Sequence, residues 1–86
     1  MFTVVWSEAA LETLATIYVT LDLRQQDRVA AAVAALNARL ANAPFDEGES
    51  RSGPSRITFI DRLAVTFWVN EPGRSVRVTA VAAFGK

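Results

Sequence analysis

The sequence predicts an α+β fold, ordered β-α-α-β-β-β, with a helical hairpin packed on one face of a small, mainly antiparallel sheet. Three observations predict it. Residues 2–6 are β-branched or aromatic, residues 8–43 repeat apolar side chains at helical spacing with one break, and from residue 56 the period changes to two.

Taken in order, Phe2-Thr3-Val4-Val5-Trp6 reads as a strand, and Ser7 follows as a good N-cap with Glu8 at the positive end of a helix dipole. Leu11, Leu14, Ala15, Tyr18 and Leu21 form the apolar stripe of a first helix, with Glu12, Thr13, Thr16 and Thr20 opposite. Asp22-Leu23-Arg24-Gln25 has the form of a capping box and starts a second helix. Its stripe is Val29, Val33, Leu36 and Leu40, and Asn42, Pro44 and Gly48 end it. The short junction at residues 21–25 folds the two helices into a hairpin. Residues 46–54 are a polar loop. Arg56–Ile60, Leu63–Val69 and Ser75 to about Phe84 then make a three-strand meander, with a tight turn at Asp61-Arg62. Glu71-Pro72-Gly73-Arg74 reads as a type II turn. The sheet position of the first strand stays open.

With 86 residues the chain is one domain, residues 1–86. It is 51% hydrophobic, but 15 of those residues are Ala, so core volume per residue is small. Such a core predicts support from a partner or a second copy. The chain has no Cys and no His, which excludes disulfides, thiolate chemistry and the side chain best suited to proton transfer near neutral pH. No ligand spacing points to a metal or a cofactor. The opening residues carry no signal-peptide pattern and no apolar run nears the ~20 residues of a membrane span, so a cytoplasmic protein is expected.

Formal net charge is zero but divided. Residues 1–50 carry −4 and residues 51–86 carry +4, a split that suggests an anionic partner for the C-terminal half. Strict alternation would place Ile57, Phe59, Leu63, Val65, Phe67, Val69, Val76, Val78 and Ala80 under the hairpin. Arg56, Thr58, Ala64, Thr66, Trp68, Arg77 and Thr79 would then share the open face. Arg56, Thr58, Thr66, Trp68 and Arg77, with Lys86, form a candidate platform for a phosphate backbone or other target. The alternative is a solvated face whose Thr and Trp satisfy β propensity. Ala31, Ala34, Ala35 and Ala38 on the second helix would let a partner approach closely, or simply favour the helix. Asp46, Glu47 and Glu49 beside Arg51 are carboxylates in a loop, and Glu49 is the candidate for acid–base work.

Val5-Trp6-Ser7 leading into a helix with Ala10, Leu14 and Ile17, a second helix ending near Pro44, Gly48-Glu49-Ser50-Arg51 and three strands together resemble the RelE/ParE toxin superfamily over essentially the whole chain. The resemblance implies the toxin half of a type II toxin–antitoxin pair, neutralised by a cognate antitoxin. RelE-like members cleave ribosome-bound mRNA, and ParE-like members poison DNA gyrase. Of the basic positions expected of a RelE-like nuclease, Arg56 matches the first, whereas Thr58 stands at the second. Ala64 or Val65 stands where the next strand should carry an arginine, with Arg62 nearby in the turn. Arg56, Arg62, Arg77 and Lys86 would stabilise charge, and only Glu49 would move protons. The reading is therefore a ParE-like or degenerate RelE-like toxin that acts by binding. An Arg-based mRNA endonuclease and a non-toxic self-associating module, a possible homodimer, are the alternatives.

Overall fold

In the computed structural model, which describes residues 1–51 and 53–84, the chain runs β1 (Thr3–Trp6), α1 (Glu8–Tyr18), α2 (Leu23–Asn42), a 3₁₀ turn (Pro44–Asp46), β2 (Glu49–Ser50), β3 (Ser55–Ile60), β4 (Leu63–Asn70) and β5 (Ser75–Ala83). The expected α+β order is present, with one addition: the loop at residues 46–54 contains the short strand β2.

Local signals set the helix ends. Ser7 is extended, at φ −65° and ψ 157°, and its Oγ accepts from the Ala10 amide at 3.1 Å. Asp22 and Gln25 close a reciprocal capping box at 2.8 and 3.1 Å, satisfying two of the amides that a helix start leaves orphaned. Pro44 lies just past α2 and starts the 3₁₀ turn, since it has no amide proton with which to continue the helix.

The sheet order is β1-β5-β4-β3-β2. β1 runs parallel to β5, and every other pair is antiparallel. β1 therefore lies outside β5, at the edge that the sequence left open. Trp6 ties this edge to α2, its indole N–H donating to Asn37 Oδ1 at 2.8 Å.

The core lies between the sheet and the helices. It consists of Ala10, Val29, Leu36, Leu40, Ile60, Leu63, Val65, Phe67, Val76, Val78 and Val81. Two parts of the expected facing are overturned. On β3 it is Arg56, Thr58 and Ile60 that face the helices, because their register partners are Phe67, Val65 and Leu63. Ile57 and Phe59 face outward, and Phe59 is 53% exposed. The cause is the two-residue turn, which pairs Ile60 with Leu63, and cross-strand partners share a face. On β5, a bulge opposite Thr66/Phe67 inserts Thr79, so Val81 points inward and Ala80 outward.

The turns also carry a correction. Asp61 and Arg62 have φ of 38° and 73°, the left-handed pair that a tight hairpin needs. The turn at Glu71–Arg74 is not type II. The positive φ, 49°, falls on Arg74 and not on Gly73, and the Arg74 amide closes the turn on the Glu71 carbonyl at 3.1 Å.

Candidate functional site

Two surfaces on opposite sides of the molecule have features beyond those of a solvated exterior. On the helical side, α1 packs on β5 while α2 reaches β1 and β3. Between the helices runs an apolar groove of about 540 Å³, lined by Leu11, Leu14, Ala15, Tyr18, Val19, Val29, Ala30, Val33, Ala34 and Asn37. Leu11 is 51% and Val19 75% exposed. Of the alanines singled out on α2, Ala34 lines this groove. Ala31, Ala35 and Ala38 are exposed elsewhere on the helix. Leu11 and Ala15, expected with Leu14 and Tyr18 in the apolar stripe of α1, are exposed, and with Val19 at i, i+4, i+8 spacing they line the groove, the edge of that stripe which the core does not cover.

The other surface is the open face of the sheet. Its rows follow from the register: Val5, Arg77, Trp68 and Ser55 across one row, and Ala80, Thr66, Ile57 and Glu49 across the next. Phe59 and Ala64 continue it, with the Phe84 ring edge-on to Phe59 at a centroid distance of 5.1 Å. Thr66, Trp68 and Arg77 are together here, as the alternation implied, and Glu49 joins them. Trp68 is 47% exposed. Arg62 is exposed in the β3–β4 turn. Lys86 lies outside the described residues. A further row, Thr3, Ser75 and Asn70, is polar, so the expected cationic platform is a mixed apolar and uncharged polar face, with Arg77 the one cation among its strand positions.

Arg56 and Thr58 are not part of it. Arg56 reaches under β2, where its guanidinium donates to the carbonyls of Phe45, Glu47 and Gly48 at 3.1–3.2 Å and to Ser50 Oγ at 3.2 Å. Thr58 is 6% exposed and donates to Glu47 Oε2 at 2.7 Å. Glu47 also accepts two bonds from the Arg39 guanidinium, at 2.8 and 3.3 Å. Hydrogen bonding from Arg39 holds the Glu47 carboxyl below the usual carboxylate range, against the opposing effect of burial, and the Thr58 bond adds to the lowering. These four side chains clamp the α2–β3 connection. Their polar groups are bound to one another and to the loop backbone.

Among the described residues no group of three or more His, Cys, Asp or Glu could hold a metal ion. No helix among them is long and apolar enough to cross a membrane.

No family model matches the chain, and no curated protein matches it in sequence. Its fold, however, has solved counterparts. A chain of the chromosomal ParDE toxin–antitoxin system from P. aeruginosa superposes with a TM-score of 0.76 at 15% identity, covering 99% of this chain and 98% of that one. A chain of the RelBE2 toxin–antitoxin complex from Mycobacterium tuberculosis gives 0.71 at 15% identity, covering 99% and 93%. A chain of the intact E. coli RelBE complex gives 0.66 at 12% identity and covers both chains completely. Two helices on a five-stranded mixed sheet are therefore the RelE/ParE fold in this chain, shared from end to end.

Proposed function

We propose that this chain is the toxin of a type II toxin–antitoxin pair, that it acts by binding a target rather than by cleaving RNA, and that its antitoxin seats an apolar segment in the groove between α1 and α2. The end-to-end likeness in fold to chains of ParDE and RelBE complexes supports the pairing.

The observation that carries the choice of binding over cleavage is the placement of Arg56. Cleavage of RNA through the 2′-hydroxyl needs a base, charge stabilisation at phosphorus and an acid for the leaving oxygen, all converging on one phosphate. Arg56 is the candidate that best matches a RelE-like site, and its guanidinium is directed into its own loop, on the opposite side of the sheet from Arg77. The open face is left with Arg77 and Glu49 among aromatic, aliphatic and uncharged polar side chains. That composition suits a protein surface better than a phosphate backbone, which is held by several cations.

The groove suits an antitoxin because it is apolar, open to solvent and bordered by both helices. An amphipathic helix lays its apolar face into such a channel. The test is inducible expression in bacteria. The chain alone is expected to arrest growth with transcripts intact, and co-expression of the neighbouring gene is expected to restore growth. Harmless expression would overturn the toxin reading. Transcripts cut at defined codons would overturn binding in favour of cleavage.

A further inference from the structure

We infer that the segment seated in the groove between α1 and α2 is a cationic amphipathic helix, its apolar stripe flanked on both sides by Lys or Arg. The inference rests on the antitoxin reading of that groove and adds the charge that its occupant must carry.

The lining holds no charged side chain, but both of its rims do. On α1, Glu8 lies at i−3 and i−7 from Leu11 and Ala15, and Glu12 at the same intervals from Ala15 and Val19, so both stand on the exposed edge of the lining. On α2, Asp27 is placed likewise before Ala30 and Ala34. All three carboxylates are exposed, and none takes part in either ion pair among the described residues. The cations of the hairpin lie elsewhere. Arg24, Arg28 and Arg39 fall on one stripe of α2 with Ala31 and Ala35, outside the lining. Two of them are already held, Arg28 by Asp61 of the β3–β4 turn at 2.7 Å and Arg39 by Glu47 at 2.8 Å.

The two helices run antiparallel. Asn37, late in α2, meets Trp6 just before α1, and Gln26, early in α2, donates to the Tyr18 carbonyl at the end of α1. Glu8 and Glu12 therefore stand toward one end of the groove and Asp27 toward the other, on opposite rims. A helix about 10 Å across, laid between the rims on its apolar stripe, turns both flanks toward these carboxylates. Lys and Arg suit such flanks, because their stems extend along apolar surface while their heads reach the rim. Acidic flanks would meet like charge on both sides. Each pair is exposed and contributes modestly, so the three together are expected to change affinity by about tenfold.

The experiment measures binding of three synthetic helical peptides to the purified chain by fluorescence anisotropy. The peptides share one Leu/Ala stripe and carry Lys, Gln or Glu at every flanking position. At about 0.05 M salt the Lys peptide should bind about tenfold tighter than the Gln peptide, and the Glu peptide weaker than both. At about 0.5 M salt the differences should shrink. Glu8→Gln, Glu12→Gln and Asp27→Asn combined should bring the Lys peptide to the level of the Gln peptide and leave the Gln peptide unchanged, with the circular dichroism spectrum of the chain retained. Glu71→Gln, an exposed carboxylate of the β4–β5 turn, should change neither. Equal binding of the Lys and Gln peptides, no binding of the Lys peptide at about 100 μM, or an equal loss with Glu71→Gln would each overturn the inference. A Gln peptide that binds as well as the Lys peptide and is lost with Ala34→Glu would leave the groove reading standing without the charge. Growth rescue by the neighbouring gene tests the antitoxin reading separately.

Discussion

Arg39 on α2 holds Glu47 with two hydrogen bonds, at 2.8 and 3.3 Å, and so fastens the start of the loop before β2 to the last turn of α2. The Glu47 side chain is 13% exposed and that of Arg39 48%, so the carboxylate is largely withdrawn from water while its partner remains half in it.

This arrangement predicts acid sensitivity. The folded carboxyl of Glu47 titrates below its unfolded value, near 4.3 on ordinary scales. A lowered folded pKa contributes stability that is fully present above the unfolded value and is lost as pH falls through the folded one. Glu47→Gln should cost about 1 kcal/mol at neutral pH, a modest figure because water screens the half-exposed Arg39. The same substitution should flatten the decline in stability between about pH 5 and pH 3. Urea melts of both proteins across that range provide the check.

Arg56 gives a prediction that separates scaffold from site. Removing its guanidinium leaves the carbonyls of Phe45, Glu47 and Gly48 without this donor. Arg56→Ala should destabilise the fold by about 1–3 kcal/mol, measured by denaturant unfolding. Arg56→Lys should recover little, since a single ammonium cannot reproduce the fork. A target-binding arginine would show the opposite result, with stability intact and growth arrest lost.

Gly48 permits β2 to pair at all. Its φ is +67°, and a Cβ there would lie 2.2 Å from the Ile57 carbonyl oxygen, which is backbone and cannot swing away. Gly48→Ala therefore adds a left-handed penalty of roughly 1–2 kcal/mol to a clash that must displace β2. Amides of the β2–β3 ladder should lose hydrogen-exchange protection, while those of β4 and β5 keep theirs.

The β3–β4 turn offers a gain. Arg62 occupies a left-handed position, φ 73°, where Gly is the favoured residue. Arg62→Gly should stabilise by about 0.5–1 kcal/mol after the entropy of glycine in the unfolded chain is discounted, raising Tm by roughly 3–6 °C. Differential scanning calorimetry checks this.

Ala34 tests the groove. It is exposed on α2 and lines the channel, so Ala34→Glu should leave stability within about 0.5 kcal/mol. The same change places a charge where an apolar segment would sit, at a cost of several kcal/mol in binding. Growth arrest should persist and rescue by the neighbouring gene should fail. Ala38→Glu, away from the lining, should behave like the unmodified chain.

The elements and their order were legible because each depends on near neighbours: Ser7 and the Asp22/Gln25 box start the helices, and the change of period at Arg56 starts the meander. Thr66, Trp68 and Arg77 could be assigned to the open face from alternation along β4 and the first half of β5. Arg56 and Thr58 were misplaced although the sequence held the information, since a two-residue turn at Asp61-Arg62 fixes the parity of β3 against β4. Other features had no local signal. The bulge at Thr79 depends on how β5 must bend against β4, the place of β1 on the crossover, and the groove on how far apart the sheet seats the two helices. Periodicity states which residues can share a surface. Only packing over long sequence separations decides which surface is covered, and that is why both candidate interfaces emerged from the tertiary structure.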